Sequence, residues 1–340
     1  MKQYLELHFR SERLLATCLT LITVLFFGGM MFLSYSKRAH AQDVALKVAT
    51  GGTAGTYHQM FGELNQKCSN TLVLNEQTTN GSLDNLALMI GNKVNAGIMQ
   101  EDILFLKKRT ETALLQYRTL FTLAPEEVHI ISLSAGKKEG GYFGGRFGGN
   151  VVTLNNINDL ANRKVGSFGG SMVTAQVIKL QTNIPYQVFD VGSAANAVKA
   201  LQEGTIDAII AVGGSQLPWV EKLTSDFKIL DIPESAANQL KEVYQKGTLS
   251  YPNLNASGVP TVSTQAVFIT RQYRTPEYVN ALASLRTCFY KNLPYLAEET
   301  GMHPKWASVK NQGDDGYKGN FTWYDLPGAA TTATPIRRRQ

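Results

Sequence analysis

The chain has 340 residues but only five histidines and three cysteines. His8, His40 and Cys18 precede residue 42, so the rest of the chain keeps His58, His129, His303, Cys68 and Cys288. Two cysteines without histidines at matching spacing argue against a zinc site. A second long apolar run is also missing, which excludes a polytopic membrane protein. With 18% charged and 44% hydrophobic residues, the chain lacks the composition of a disordered protein. Its length suggests two domains or one large one.

The formal net charge of +6 is not spread over the body. Residues 1–41 hold Lys2, Arg10, Arg13, Lys37 and Arg38 against Glu6 and Glu12, and Arg337, Arg338 and Arg339 close the chain. Between these ends acidic and basic residues balance, so nothing basic remains to recruit nucleic acid. Residues 14–33, LLATCLTLITVLFFGGMMFL, carry no charge and are long enough to span a bilayer. A basic segment precedes them, and Ala39-His40-Ala41 offers a small-x-small cleavage pattern. Residues 1–41 therefore read as a signal peptide, or as an uncleaved anchor because the run is long. Either way residues 42–340 are expected outside the cytoplasm. That compartment permits a disulfide between Cys68 and Cys288. Two separate buried thiols are the alternative.

The body alternates strand and helix signals. VALKVAT (44–50) reads as a strand that stops at Gly51-Gly52, and residues 55–68 place Tyr57, Met60, Phe61 and Leu64 at helical spacing. A strand at 71–77, a helix led by Thr79 or Ser82, a short strand at 96–99 and a helix from Ile103 follow. LFTLAPEEVHIISLS reads as one long strand interrupted at Pro125, and the Gly-rich stretch 136–150 as a loop or hairpin insertion. A second series then repeats strand, Gly-rich turn, helix and strand. Residues 261–270 give one more strand and 276–299 a long helix with Leu282, Leu285, Phe289, Leu293 and Leu296 inward. Two similar α/β lobes with mostly parallel sheets are expected, and ligands of such sheets bind at the carboxyl ends of the strands.

Two loops stand out. Thr50-Gly51-Gly52-Thr53-Ala54-Gly55-Thr56-Tyr57 joins strand to helix through small residues and hydroxyls, and Val165 to Ser171 does the same in the second series. Glycine admits close approach of a ligand, and the N–H groups of a helix N-terminus favour an anion. A tight turn needs glycine for structural reasons too; the recurrence in both series favours binding. Catalysis finds little support. His58 and His129 read as packed or hydrogen-bonded residues. Ser171 in GGSMV is not a nucleophile elbow. Glu126 and Glu127 are adjacent on a strand and cannot share a proton. They and Asp314-Asp315 read as solvated surface. GDDGYKGN (313–320) lacks the spaced ligands of a calcium loop.

Several blocks in collinear order over roughly 44–300 resemble the TAXI family of solute-binding proteins, which serve TRAP-type transporters. KVATGGTAGTYHQMFGELN is similar to the family's TGG-T/P-x-GTYY opening. TTNGSLDNLALMIGNKVNAGIMQED resembles its GGSVENL segment, LFTLAPEEVHIIS its LYPEPVHIVV strand, INDLANRKVGSFGGSMVTAQVI its GSGTE segment, and AANAVKALQEGTIDAIIAVGG its IDAFF segment. The chain departs from the pattern at His58, Asn80, Gly169, Met172 and Gly214-Ser215.

The resemblance implies a type II periplasmic-binding-protein fold, α/β, with a hinge and an interlobe cleft. It places lobe I over 42–132, lobe II over 133–258 and a return crossing with C-terminal helices over 259–327, with a basic tail at 328–340. It implies a monomeric periplasmic receptor, without cofactor or catalysis, that hands a dicarboxylate or glutamate-like acid to a TRAP-type permease. Carried over by motif, the ligand site would use Thr50, Gly51, Gly52, Thr53, Gly55, Thr56 and Tyr57, then Asn80, Gly81, Ser82 and Gln100. Gly170, Ser171, Gly213 and Gly214 would face them. A membrane-tethered sensing module or an exported enzyme on the same fold are the alternatives.

Overall fold

The computed structural model describes residues 44–53, 55–140, 149–312 and 323–324. The chain divides into two units, Met1–Val44 and Ala45–Gln340. All described elements lie in the second. The apolar run, the expected signal sequence, the Arg-rich end and residues 313–320 fall outside the described residues. No helix among the described residues is long and apolar enough to cross a membrane.

Three βα steps open the fold. β1 (Ala45–Ala49) leads to α1 (Thr56–Cys68), β2 (Val73–Gln77) to α2 (Ser82–Ile90), and β3 (Ala96–Gln100) to α3 (Glu101–Lys107). α1 buries Tyr57, Met60, Phe61, Leu64 and Cys68, a stripe at three- and four-residue spacing that packs onto the sheet. β3 is buried along its whole length, as a central strand covered on both faces must be.

β4 (Tyr117–Leu133) is one strand of 17 residues. The interruption expected at Pro125 does not occur. Pro125 pairs with Gln265 at a register shift of the neighbouring strand, so its missing N–H interrupts no regular ladder. The Gln265 side-chain amide donates instead to the carbonyl of Leu123. A hairpin of β5 (Lys137–Glu139) and β6 (Asn150–Val152) flanks the Gly-rich insertion; residues 141–148 lie outside the described ones.

The second series follows: β7 (Lys164–Ser167), α4 (Ser171–Thr182), β8 (Gln187–Asp190), α5 (Ala194–Gln202), β9 (Ala208–Gly213) and β10 (Phe227–Ile229). INDL (157–160) is a short 3-10 turn held by a capping box between Asn156 and Asp159. α6 (Glu234–Leu240) and β11 (Gln245–Tyr251) were not legible in the sequence. β12 (Ala256–Arg271), α7 (Pro276–Glu298) and α8 (Lys305–Gln312) complete the chain.

Apart from the β5–β6 hairpin, the strands form one sheet in the order β2-β1-β3-β12-β4-β9-β7-β8, with β10 also on β4 and β11 also on β12. β1 is parallel to β2 and β3, and β7 to β8 and β9. The two halves, lobe I and lobe II, thus repeat one pattern. Each has three parallel strands with the first in the middle, closed by a long antiparallel strand.

Those long strands are shared. β12 pairs with β11 up to Ser263 and with β3 from Ala266. β4 pairs with β12 through Glu127 and with β9 from Glu127 onward. Both strands therefore change lobe at one place, where Glu127 faces Ser263 and Glu126 faces Thr264.

α7 lies against lobe I. Phe289 stacks on Phe121 with ring centroids 3.9 Å apart, and all five inward positions expected from the periodicity are buried. Cys68 and Cys288 form a disulfide that joins α1 to α7. Of the two readings left open for these thiols, the covalent one holds.

Candidate functional site

A cleft of about 340 Å³ opens between the lobes at the carboxyl ends of the parallel strands. Three helices point their N-termini into it: α1 through Gly55-Thr56-Tyr57, α2 through Gly81-Ser82, and α4 through Gly170-Ser171. None of the three is capped by a side chain. First-turn N–H groups of α1 and α2 are left for a ligand, whereas those of Ser171, Met172 and Val173 in α4 already donate to the Phe168, Gly169 and Gly170 carbonyls. The helix dipoles set a positive potential there. The Gly81 turn has φ of +113°, a conformation that favours glycine and lets α2 start facing the cleft.

The cleft gathers Gly51, Gly52, Gly55, Thr56, Tyr57, Asn80, Gly81, Ser82 and Gln100 from lobe I. Gly170, Ser171, Gly213 and Gly214 face them from lobe II. Thr50 and Thr53 are not among them. Thr50 is fully buried; its hydroxyl donates to Glu76 Oε1 at 2.5 Å and its carbonyl accepts from Asn85 Nδ2 at 2.5 Å. Thr53 turns to a separate groove beside His58 and Glu63.

Glu126, Phe168, Gly169, Val212 and Leu217 also line the cleft. Phe168 and Gly169 belong to the 165–171 loop picked out in the sequence, whereas Glu126, Val212 and Leu217 were missed. Glu126 is the important omission, because the expectation of a solvated Glu126-Glu127 pair is wrong. Glu126 is 7% exposed, and burial pushes the Glu127 carboxyl up to about 7. Both lie at the strand crossing, Glu126 lining the cleft and Glu127 half-buried.

Several polar residues around the cleft are already engaged. Ser171 Oγ accepts from Val212 N at 3.0 Å, which ties the start of α4 to β9. Ser82 Oγ accepts from Gln100 N at 3.2 Å. Tyr57 donates its hydroxyl to Glu126 Oε2 at 3.1 Å. Burial, and then the Glu126 charge, raise the Tyr57 phenol well above its ordinary range, so it stays a neutral donor.

Lys305, from α8, is the cation beside the cleft. A Cβ on Gly214 would sit 3.3 Å from its Nζ, which itself donates to the Pro125 carbonyl at 3.2 Å. His129 is packed and hydrogen-bonded, as expected. Its ring lies 2.9 Å from the Glu127 carbonyl through Nδ1 and 2.9 Å from the Tyr251 hydroxyl through Nε2, and burial lowers it to about 4. His58 bonds Glu76 Oε1 at 2.8 Å, outside the cleft. Among the described residues no group of His, Cys, Asp and Glu could hold a metal ion.

Behind the cleft, Asp102 of α3 reaches into lobe II. Its Oδ2 accepts from Thr174 at 2.5 Å and from Tyr244 at 2.9 Å. Burial raises its carboxyl to about 6 against these bonds. A carboxyl raised on folding stabilises fully below its unfolded value near 4, and that contribution is lost as pH rises through about 6. The loss amounts to about 3 kcal/mol. His129, lowered on folding, works the other way over a similar window. Asp102→Asn keeps an acceptor but cannot titrate. Its stability relative to the wild type should therefore rise by about 2 kcal/mol between pH 4 and pH 7. Urea melts at both pH values check this; a constant difference would refute it.

Comparison with known proteins adds the following. A solved protein from Bordetella bronchiseptica is similar at 16% identity, with 79% of this chain and 78% of that chain covered and a TM-score of 0.46. An amino acid ABC transporter substrate-binding protein from Streptococcus pneumoniae, solved with L-arginine, shows 12% identity, coverage of 78% and 95%, and a TM-score of 0.44. The GluR0 ligand-binding core from Nostoc punctiforme, solved with L-glutamate, shows 14%, 79% and 99%, and 0.42. Those ligands belong to those proteins. A family model, by contrast, matches residues 48–312, from β1 through α8 and so across both lobes and the strands they share. The chain belongs to the NMT1-like family.

Proposed function

We propose that the protein is an extracytoplasmic receptor that closes its lobes on a small organic acid and delivers it to a membrane permease. The observation that carries this reading is the convergence of three uncapped helix N-termini, from both lobes, on one cleft beside the shared strands. Backbone N–H groups aimed into a partly enclosed space bind a carboxylate without a paired base or acid. Two strands joining two lobes are a natural hinge, and ligand that touches both lobes shifts the population toward closure.

The finer assignment is to the TAXI type, with a TRAP-type permease as partner and a monomeric, periplasmic receptor released from its N-terminal signal. The collinear motifs support it. Catalysis has no part in this reading: the Ser171 hydroxyl is engaged by backbone, and the histidines at 58 and 129 are engaged away from the cleft.

A thermal-shift screen of mono- and dicarboxylates, 2-oxo acids and amino acids tests the proposal. A true ligand at about 100-fold over its Kd should stabilise by about 2.7 kcal/mol and raise the Tm by several degrees. It should also shrink the radius of gyration in X-ray scattering. A flat screen would remove the basis for the proposal.

A further inference from the structure

The cleft has two electrical poles, and only one of them suits an acid. The helix N-termini form the positive pole, with first-turn N–H groups open in α1 and α2 and Lys305 beside the cleft. Glu126 forms the negative one. It lines the cleft, is 7% exposed, and has Tyr57 Oη at 3.1 Å as its side-chain partner.

Among the described residues no Lys, Arg or His makes an ion pair with Glu126. Its charged neighbours make matters worse, because it repels both Asp102 and Glu127. Lys305 acts on Glu127 and is held by the Pro125 carbonyl. A buried carboxylate with one neutral donor and two acidic neighbours is costly unless a cation completes it.

Resting on the receptor reading above, we propose that the ligand is zwitterionic. Its carboxylate sits on the helix N-termini, and an ammonium or similar cationic group docks on Glu126. Tyr57 holds the carboxylate of Glu126 toward the cleft while itself remaining a donor. Glu126 is then a specificity residue. A plain dicarboxylate would bring its second negative charge against Glu126 and be rejected by repulsion. An amino acid would satisfy both poles.

The position of Glu126 adds weight. It lies at the place where β4 crosses from lobe I to lobe II, opposite Thr264 of β12. A cation docked there touches the hinge strands themselves.

The test uses matched pairs that differ by one amino group: L-glutamate against glutarate, L-glutamine against glutaramate, and L-leucine against 4-methylpentanoate. Calorimetry and thermal shift are run on the wild-type protein, on Glu126→Gln and on Glu126→Asp. In the wild type the amino member of at least one pair should bind at least about 10-fold more tightly. Glu126→Gln should weaken that ligand by roughly 30-fold or more, the size expected when one partner of a buried charge pair is removed. The same variant should leave the deaminated acid unchanged or improved. Glu126→Asp keeps the charge and should keep the order of preference, which covers the case in which Glu126→Gln does not fold.

Equal binding of both members, or a preference that survives Glu126→Gln, would overturn the zwitterion proposal and leave the receptor reading standing. Failure of all six probes to bind the wild type would instead strike the receptor reading, and the proposal with it.

Discussion

Replacing Cys68 and Cys288 together with alanine lowers the free energy of unfolding by about 5 kcal/mol. The bond closes a span of 220 residues. In the chain-entropy account, a loop of that length removes about 5 kcal/mol worth of freedom from the unfolded chain. Cys68 is fully buried at the end of α1, and Cys288 precedes Phe289, which packs on Phe121 and Trp306. The bond thus fastens a late helix to the first one across lobe I. Urea denaturation of the double variant, and of the wild type with and without dithiothreitol, measures the effect. Because the disulfide is remote from the cleft-lining residues, ligand affinity well below the melting temperature should hardly move. A midpoint unchanged by reduction would show that the helices hold without it.

The second large effect is on affinity. Gly170→Leu should weaken the ligand found in the screen by roughly 100-fold, near the upper end of what overpacking costs. Gly170 sits at the start of α4 in lobe II with φ −59° and ψ −29°, where any residue is allowed. What forbids a side chain is the other lobe. A Cβ would lie 2.5 Å from Gln100 Oε1 and 3.5 Å from Ile103 Cδ1.

Gly170→Ala meets only the tip of Gln100, which can swing aside, so its effect should be mild. A leucine reaches further and should prop the lobes apart. The free protein can open and should keep its melting temperature. Isothermal titration of both variants, with scattering to follow closure, distinguishes propping from unfolding. Full affinity in the leucine variant would mean that the lobes do not close at this contact.

Much of this architecture was legible because strand and helix periods alternate clearly in both halves, and because the Gly-rich turns sit where strands end. The glycines at 51, 52, 55, 81, 170, 213 and 214 could be placed together because close backbone approach asks for that residue type. Thr50 and Thr53 failed for a different reason. A hydroxyl in such a loop reads as a ligand donor, yet Thr50 spends its own on Glu76.

Glu126 was missed through a mistaken default. Two adjacent carboxylates look like surface, but at this strand crossing Glu126 is buried against Tyr57 and Glu127 is half-buried. The apolar lining residues Phe168, Val212 and Leu217 carry no mark that separates them from core. Pro125 misled because a proline within a strand usually ends pairing, whereas here the partner strand shifts register to admit it.

The sheet order also dictates when the protein can fold. β12 lies between β3 and β4, so the sheet has a vacant central place until residues 256–271 arrive. In the interval β3 and β4 are both unzipped edges, already made and rich in buried side chains. An amino-terminal fragment ending before Ala256 is therefore not a folding unit. It is a chain prone to stick to other edges. Folding must wait for nearly the whole polypeptide, and its pairings are long-range, which makes it slow. A chain with that timetable keeps two strand edges open until its last quarter has been added.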